Sequence, residues 1–440
     1  MVPQARPTSS VHEIEALTPV SLELANGLRA LVIHMPHSHR QVLHAQILVG
    51  SRFETEQENG ISHFLEHMLY RGTTTHPSAH ALSLVFERCG GTLMASTATD
   101  TGDLAIAVPP LNFEQVLTQF AEVYREPLFS NLEIERGIVT EEILEGLDDH
   151  GACVDANDLI RALVFEQHPL GMPITGTLTQ LKSFDLPQLR RHHQRFYTGS
   201  GTVLAVAGPL RAEQVLPAIE AAFSSLPRGE VVKLTAPAAQ AERRFRYVAH
   251  KSSQTQLRVA FRAPSLHDPD EAAVEVLMRL MDDGMSTRLY HRLCDEKGLC
   301  YDVGGNYESY ADAGLVELSA ETGHERAAEV LEELLGIVRD LRDQGPTPDE
   351  LVRVKQRFRW QLDVLLDSVA DAAQFFATEA QNGTERSPLL RLESIERLTA
   401  ENVVAAARRW FVSSNLSVVA VGLLGKAQLR ALEKQVARFE

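Results

Sequence analysis

At 440 residues, with 44% hydrophobic and 23% charged residues, the chain has ordinary globular composition and room for two or three domains with full cores, which excludes a disordered or fibrous protein. Its 59 acidic against 42 basic residues leave a formal charge of −17, which argues against nucleic acid or an anionic membrane surface as the main partner and suits a cationic peptide better. Cys89, Cys153, Cys294 and Cys300 form no Cys-x-x-Cys pair and are too few to staple a fold of this size.

In chain order, residues 1–19 read as an N-terminal extension without the basic stretch and apolar core of a leader. No apolar run is long enough for a membrane-spanning helix, and the compartment stays open. Val20 to Leu24 and Leu28 to Ile33 alternate around Asn26-Gly27, a hairpin signal. Val42 to Val49 predicts a further strand, followed by a helix over the segment that ends at Gly72. Next come a helix from Ser78 to Arg88, strands at Leu93 to Thr97 and Leu104 to Val108, and a helix from Phe113 to Glu126. A longer helix begins near Asn131.

Within Gly60 to Gly72, Ile61, Phe64, Leu65, Met68 and Leu69 recur at helical spacing, and Gly72 can supply a left-handed stop. His63 and His67 lie four apart, which stacks both imidazoles on one face, and Glu66 falls on the same side. Zinc chemistry needs this set: neutral nitrogen ligands, an open position for water, and a carboxylate outside the ligand set to take that water's proton. Glu66 is the candidate general base. Two histidines on a surface helix are the bland alternative in a chain with 17 His, so a third ligand must be found. On the longer helix Glu135 and Glu142 are two turns apart and share a face, whereas Glu141 points about 100° away from Glu142. Such a face can supply an oxygen ligand and a carboxylate behind an imidazole, or it can simply be solvated.

The chain repeats. Arg195-Phe196-Tyr197 followed by Thr202 to Gly208 recurs as Arg409-Trp410-Phe411 followed by Leu416 to Gly422, at a constant offset of 214 residues. Near 212, the offset sets Gly284 opposite Gly72 and a helix over Glu271 to Met281 opposite the histidine helix, with Glu275 and Arg279 at the histidine positions. One metal site per chain follows. Residues 227–243, rich in Pro, Gly and Ala, are the best linker, dividing a domain over 20–226 from a homologous one over 244–440. The fold class expected is α+β, two homologous domains, each a largely antiparallel sheet with helices packed on one face.

With these residues in hand, the chain resembles the pitrilysin, insulinase and mitochondrial processing peptidase family of inverted zincins, from about Leu22 to Leu424. The match includes Gly50-Ser51-Arg52, Gly60-x-x-His63-x-x-Glu66-His67-Met68-Leu69, Gly72-Thr73, Glu135-Arg136 with Glu141-Glu142, His168-Pro169-Leu170-Gly171 and Gly298-Leu299-x-Tyr301. The resemblance implies a zinc metallopeptidase holding one Zn2+ per chain on His63, His67 and Glu142. Glu66 matches the base and Glu135 the glutamate that supports a ligand histidine. It also implies that peptide or unfolded substrate adds as a strand along Leu93, Met94, Ala95, Ser96 and Thr97.

Two departures from the family pattern stand out. Met94 occupies the place of the family's usual Asn. Tyr301 matches the tyrosine that the second half contributes, but seven residues before it stands Cys294 where the family's enzymes that work alone carry Arg. In two-subunit members one chain carries zinc and the partner supplies Arg and Tyr. The expectation is therefore the zinc-bearing subunit of a heterodimer, half of a clamshell of four domains. The alternatives are a non-catalytic peptide-binding or assembly subunit and a homodimeric peptidase acting on basic presequences.

Overall fold

The structure, a computed structural model, describes residues 17–230, 232–384 and 386–440, so most of the N-terminal extension lies outside the described residues. Gly27 takes φ 86° as the Asn-Gly turn demands, and β1 (Val20–Glu23) runs antiparallel to β2 (Arg29–His34). With β3 (Gln41–Ile47), β4 (Met94–Thr97), β5 (Gly102–Val108) and β6 (Thr202–Gly208) they form a six-stranded sheet ordered β1-β2-β6-β3-β5-β4, in which only β2 and β6 are parallel. A second sheet holds β7 (Arg244–Ala249), β8 (Thr255–Ala263), β9 (Val303–Ser309), β10 (Gly314–Thr322) and β11 (Leu416–Gly422), ordered β7-β11-β8-β10-β9. Its one parallel pair is β7 with β11. Strand for strand, the second sheet repeats the first without β1.

The helices of the first half are α1 (Ile61–Leu69), α2 (Ala79–Arg88), α3 (Phe113–Arg125), α4 (Leu132–Glu145), α5 (Ala156–Phe165), α6 (Leu178–Ser183), α7 (Leu186–Phe196) and α8 (Ala212–Phe223). Those of the second are α9 (Glu271–Met281), α10 (Ala327–Asp343), α11 (Pro348–Asp367), α12 (Val369–Gln381), α13 (Pro388–Glu396), α14 (Ala400–Trp410) and α15 (Lys426–Arg438). The α9 boundaries are those the sequence offset predicts.

Two compact units divide the described chain, and they do not follow chain order. The first holds the chain up to Ile143, Pro173–Lys233 and Arg359–Arg391, and the second Leu144–Met172, Leu234–Phe358 and Leu392–Glu440. The consecutive partition over 20–226 and 244–440 therefore differs from the observed one by two exchanged segments. One carries α5, whose Leu159, Ile160, Val164 and Phe165 bury against Ala260, Leu315, Val419 and Val421 of the second sheet. The other carries α12, which packs on β3 and β6, with Thr378 Oγ1 donating to Gln46 Oε1 at 3.1 Å. Apolar periodicity says that a helix has a face to bury, but not under which sheet it goes. Residues 227–243 hold neither helix nor strand among those described.

Each unit is a largely antiparallel sheet with helices packed against it, as the sequence leads one to expect. Every residue of β3, β6 and β11 is buried, so the sheet centres are covered on both sides. In the second unit α5 takes the face of Ala260 and Val419. Phe261, on the opposite face, meets Phe411 and Phe439 at ring separations of 5.1 and 5.5 Å.

Candidate active site

The histidine helix α1 is fixed from a loop residue. Glu54, 4% exposed, accepts hydrogen bonds from Gly60 N at 2.7 Å, Ser62 N at 2.8 Å and Asn59 Nδ2 at 3.0 Å. Its carboxylate thus serves donors of the first turn that have no partner inside the helix. Burial, the largest influence on it, raises its pKa above the usual carboxylate range. Gly60 enters the helix at φ 93°, where a Cβ would stand 2.6 Å from Thr175 O. Ile61, Phe64, Leu65, Met68 and Leu69 are buried. The helix ends at Leu69, and Gly72, at φ 112°, turns the chain away just beyond it.

α4 lies beside α1, where the Arg136 guanidinium stands 5.6 Å from the Phe64 ring and donates to Phe184 O at 2.8 Å. This brings Glu142 to the histidines. His63 Nε2 is 3.4 Å from Glu142 Oε1 and His67 Nε2 is 3.5 Å from Glu142 Oε2. The potential ligand atoms of all three residues lie within 4.8 Å of one another, the sole such His, Cys or acidic group among the described residues. Glu142 is held below its usual pKa, chiefly by its hydrogen bond with His63. Glu135, 7% exposed, pairs with Arg71 through Oε1 and with His67 Nδ1 through Oε2 at 3.2 Å. An ion-paired carboxylate only accepts, so His67 donates to it from Nδ1, and Nε2 is the nitrogen on the Glu142 side. His63 Nδ1 is buried without a hydrogen-bond partner among the described residues. Two imidazole nitrogens and a carboxylate in this arrangement fit zinc, with Glu135 behind one ligand. Glu141 is exposed and lies outside the cluster.

Glu66 faces β4. Thr97 Oγ1 donates to Glu66 Oε2 at 2.7 Å. Burial, reinforced by neighbouring Glu66, pushes Tyr70 up to about 12. β4 pairs only with β5, so its outer edge is unpaired among the described residues. Leu93 is buried and precedes the strand, Met94 is 62% exposed, and Ser96 Oγ donates to Asp103 Oδ2 at 3.3 Å on the other face. Glu54, Arg71, Tyr70 and the Thr97 bond carry no signal in helical or strand periodicity, because each acts across a long stretch of chain.

In the second unit the histidine positions are occupied by an ion pair. Arg279 Nη2 is 3.4 Å from Glu275 Oε1, its Nη1 is 3.5 Å from Asp283 Oδ2, and its guanidinium lies 4.9 Å from the Phe358 ring. Tyr301 is 93% exposed, and Cys294 sits half-buried in the wide helical turn Tyr290–Glu296. Arg292, two residues from Cys294, is turned to α10, with Nε 2.6 Å from Glu333 Oε2 and Nη1 2.7 Å from Asp340 Oδ2.

The chain is similar to known peptidases in sequence and in fold. Residues 29–178 match the family described as insulinase (peptidase family M16), and residues 183–358 that described as peptidase M16 inactive domain. A protein of Rickettsia felis named "uncharacterized zinc protease" is 27% identical over 407 residues, spanning 90% of this chain and 96% of its own length. A Bacillus subtilis protein named "uncharacterized zinc protease YmxG" is 29% identical over 346 residues, spanning 78% and 83%. A Helicobacter pylori protease superposes with a TM-score of 0.87 at 20% identity, covering 92% of this chain and 99% of its own. A Pseudomonas fluorescens structure titled as a peptidase M16 inactive domain gives 0.86 at 21% identity, covering 93% and 98%. These two likenesses concern the fold.

Proposed function

This chain belongs to the insulinase (M16) peptidase family, and from that premise we propose that it is a zinc-dependent endopeptidase acting on peptides or unfolded segments. The carrying observation is the convergence of His63 Nε2, His67 Nε2 and Glu142 beside a Glu66 that lies outside the cluster. His63, His67 and Glu142 would hold the ion, while Glu135, anchored by Arg71, orients His67. When bound, zinc supplies Lewis-acid polarisation of the scissile carbonyl and acidifies water. Glu66 takes the proton of the attacking water and returns it to the leaving amine, so that water adds across the peptide bond. The free edge of β4 pairs with substrate backbone, which selects extended conformation over side-chain identity.

The second part of the proposal is that activity is completed in trans. Cys294 stands where family enzymes that work alone carry Arg, and Arg292 is engaged by Glu333 and Asp340. A homologous partner subunit would supply the missing cation to stabilise the tetrahedral intermediate. The test is hydrolysis of insulin B chain by the purified chain, alone and mixed with its homologous partner, with zinc content measured alongside. We expect cleavage only in the mixture, lost in Glu66→Gln at unchanged zinc content. Full activity of the isolated chain with Cys294 intact would sink the heterodimer. Zinc bound without cleavage in either condition would favour a peptide-binding subunit, a reading that the match of residues 183–358 to the family described as an inactive domain keeps in view.

A further inference from the structure

One side-chain hydrogen bond ties α1 to β4. Thr97 Oγ1 donates to Glu66 Oε2 at 2.7 Å, from the strand face that Thr97 shares with Ala95. Glu66 Oε1 has no hydrogen bond among the described residues. Thr97 ends a four-residue strand whose outer edge is unpaired among the described residues.

We propose that Thr97 is a positioning residue: from the strand that receives substrate, its hydroxyl fixes the Glu66 carboxylate so that Oε2 is occupied and Oε1 faces the attacking water. This rests on Glu66 being the base of the proposed peptidase. β-branching restricts Thr97 at χ1 and the strand fixes its backbone, so the donor is presented with little freedom. The bond also sets a register: any peptide paired with β4 lies at a fixed offset from the residue that orients the base. Substrate placement and base placement are thus referred to one four-residue element.

The experiment compares Thr97→Val, which keeps the shape and removes the donor, with Thr97→Ser, which keeps the donor, in whichever assembly cleaves peptide. Thr97→Val should lower kcat by about 10- to 100-fold with KM within about twofold, the pattern of a misplaced catalytic group. Thr97→Ser should stay within about threefold of wild type, zinc content should be unchanged in both, and Thr97→Val should add nothing to the loss in Glu66→Gln. A Thr97→Val enzyme as fast as wild type, or one that changes only KM, overturns the proposal. Crystal structures of zinc-loaded wild type and Thr97→Val decide the point independently of turnover. A Glu66 carboxylate that keeps its place without the hydroxyl overturns the positioning role. A carboxylate that moves in a protein that cleaves nothing upholds the positioning role and counts against the peptidase.

Discussion

Two buried histidines beside the site oppose acidification of the fold. His192, 5% exposed, meets Ser62 Oγ through Nε2 at 2.9 Å, and His193, 7% exposed, donates from Nε2 to Tyr124 O at 2.8 Å. Burial, the largest cause for each, pushes them down to about 3 and about 4. In the unfolded chain both titrate near about 6.5, so below that pH the unfolded state binds more protons than the folded one. Stability is complete above about pH 6.5 and falls toward the folded-state values, with a slope approaching about 1.4 kcal/mol per pH unit for each ring. Glu317 and Asp158, which burial pushes up to about 7 and about 6, oppose this between about pH 7.5 and 5, so the test is a difference: in urea unfolding of the metal-free protein over that range, His193→Gln, which keeps a donor for Tyr124 O, should lose less stability on acidification than the unaltered protein. An equally steep curve in the variant would contradict this account. Glu135→Gln should weaken zinc binding about 10- to 100-fold, read by competition with a chelator, because the carboxylate behind His67 loses its charge. At this scale His63, Glu66 and His67 were legible because one helical turn fixes their spacing. Glu142 needed a second helix to be recognised, and Thr97 and Arg71 became visible only once the chain had brought distant segments together.

Most elements could be read from the chain because each rests on a local cause: the Asn26-Gly27 turn, the alternation of β5, the apolar stripe of α1. The offset between halves extended this to α9 and to a second sheet that repeats the first. The partnership between helices and sheets could not be read in the same way. Ala372, Ala373, Ala377 and Ala380 of α12 are buried in the first unit, and their small size suits close packing on β3 and β6. Ala377→Leu should therefore overpack the first unit and destabilise it by about 1–3 kcal/mol, measured by urea midpoint. Ile160→Ala on α5 should cost about 2–5 kcal/mol through a cavity in the second. A surface-like response of either helix would refute its place in the core.

Across the whole chain, the exchange of α5 and α12 makes neither sequential half a self-sufficient folding unit. A fragment ending near residue 226 carries the zinc residues and all six strands of the first sheet, yet lacks the helix that covers Val42, Val203 and Ala205 on one face. It should be insoluble or fail to retain zinc, and supplying residues 359–391 in trans should rescue it; a soluble, zinc-binding fragment would speak against the exchange. The same feature imposes a schedule on synthesis. Gln381 closes α12, so at about 5–20 residues per second the first sheet waits roughly 20–80 s from initiation before its cover exists. Between Gly208, where β6 completes the sheet, and Gln381, roughly 9–35 s at that rate, an apolar sheet face is open to water and to other nascent chains. Pausing within that stretch would prolong the exposure.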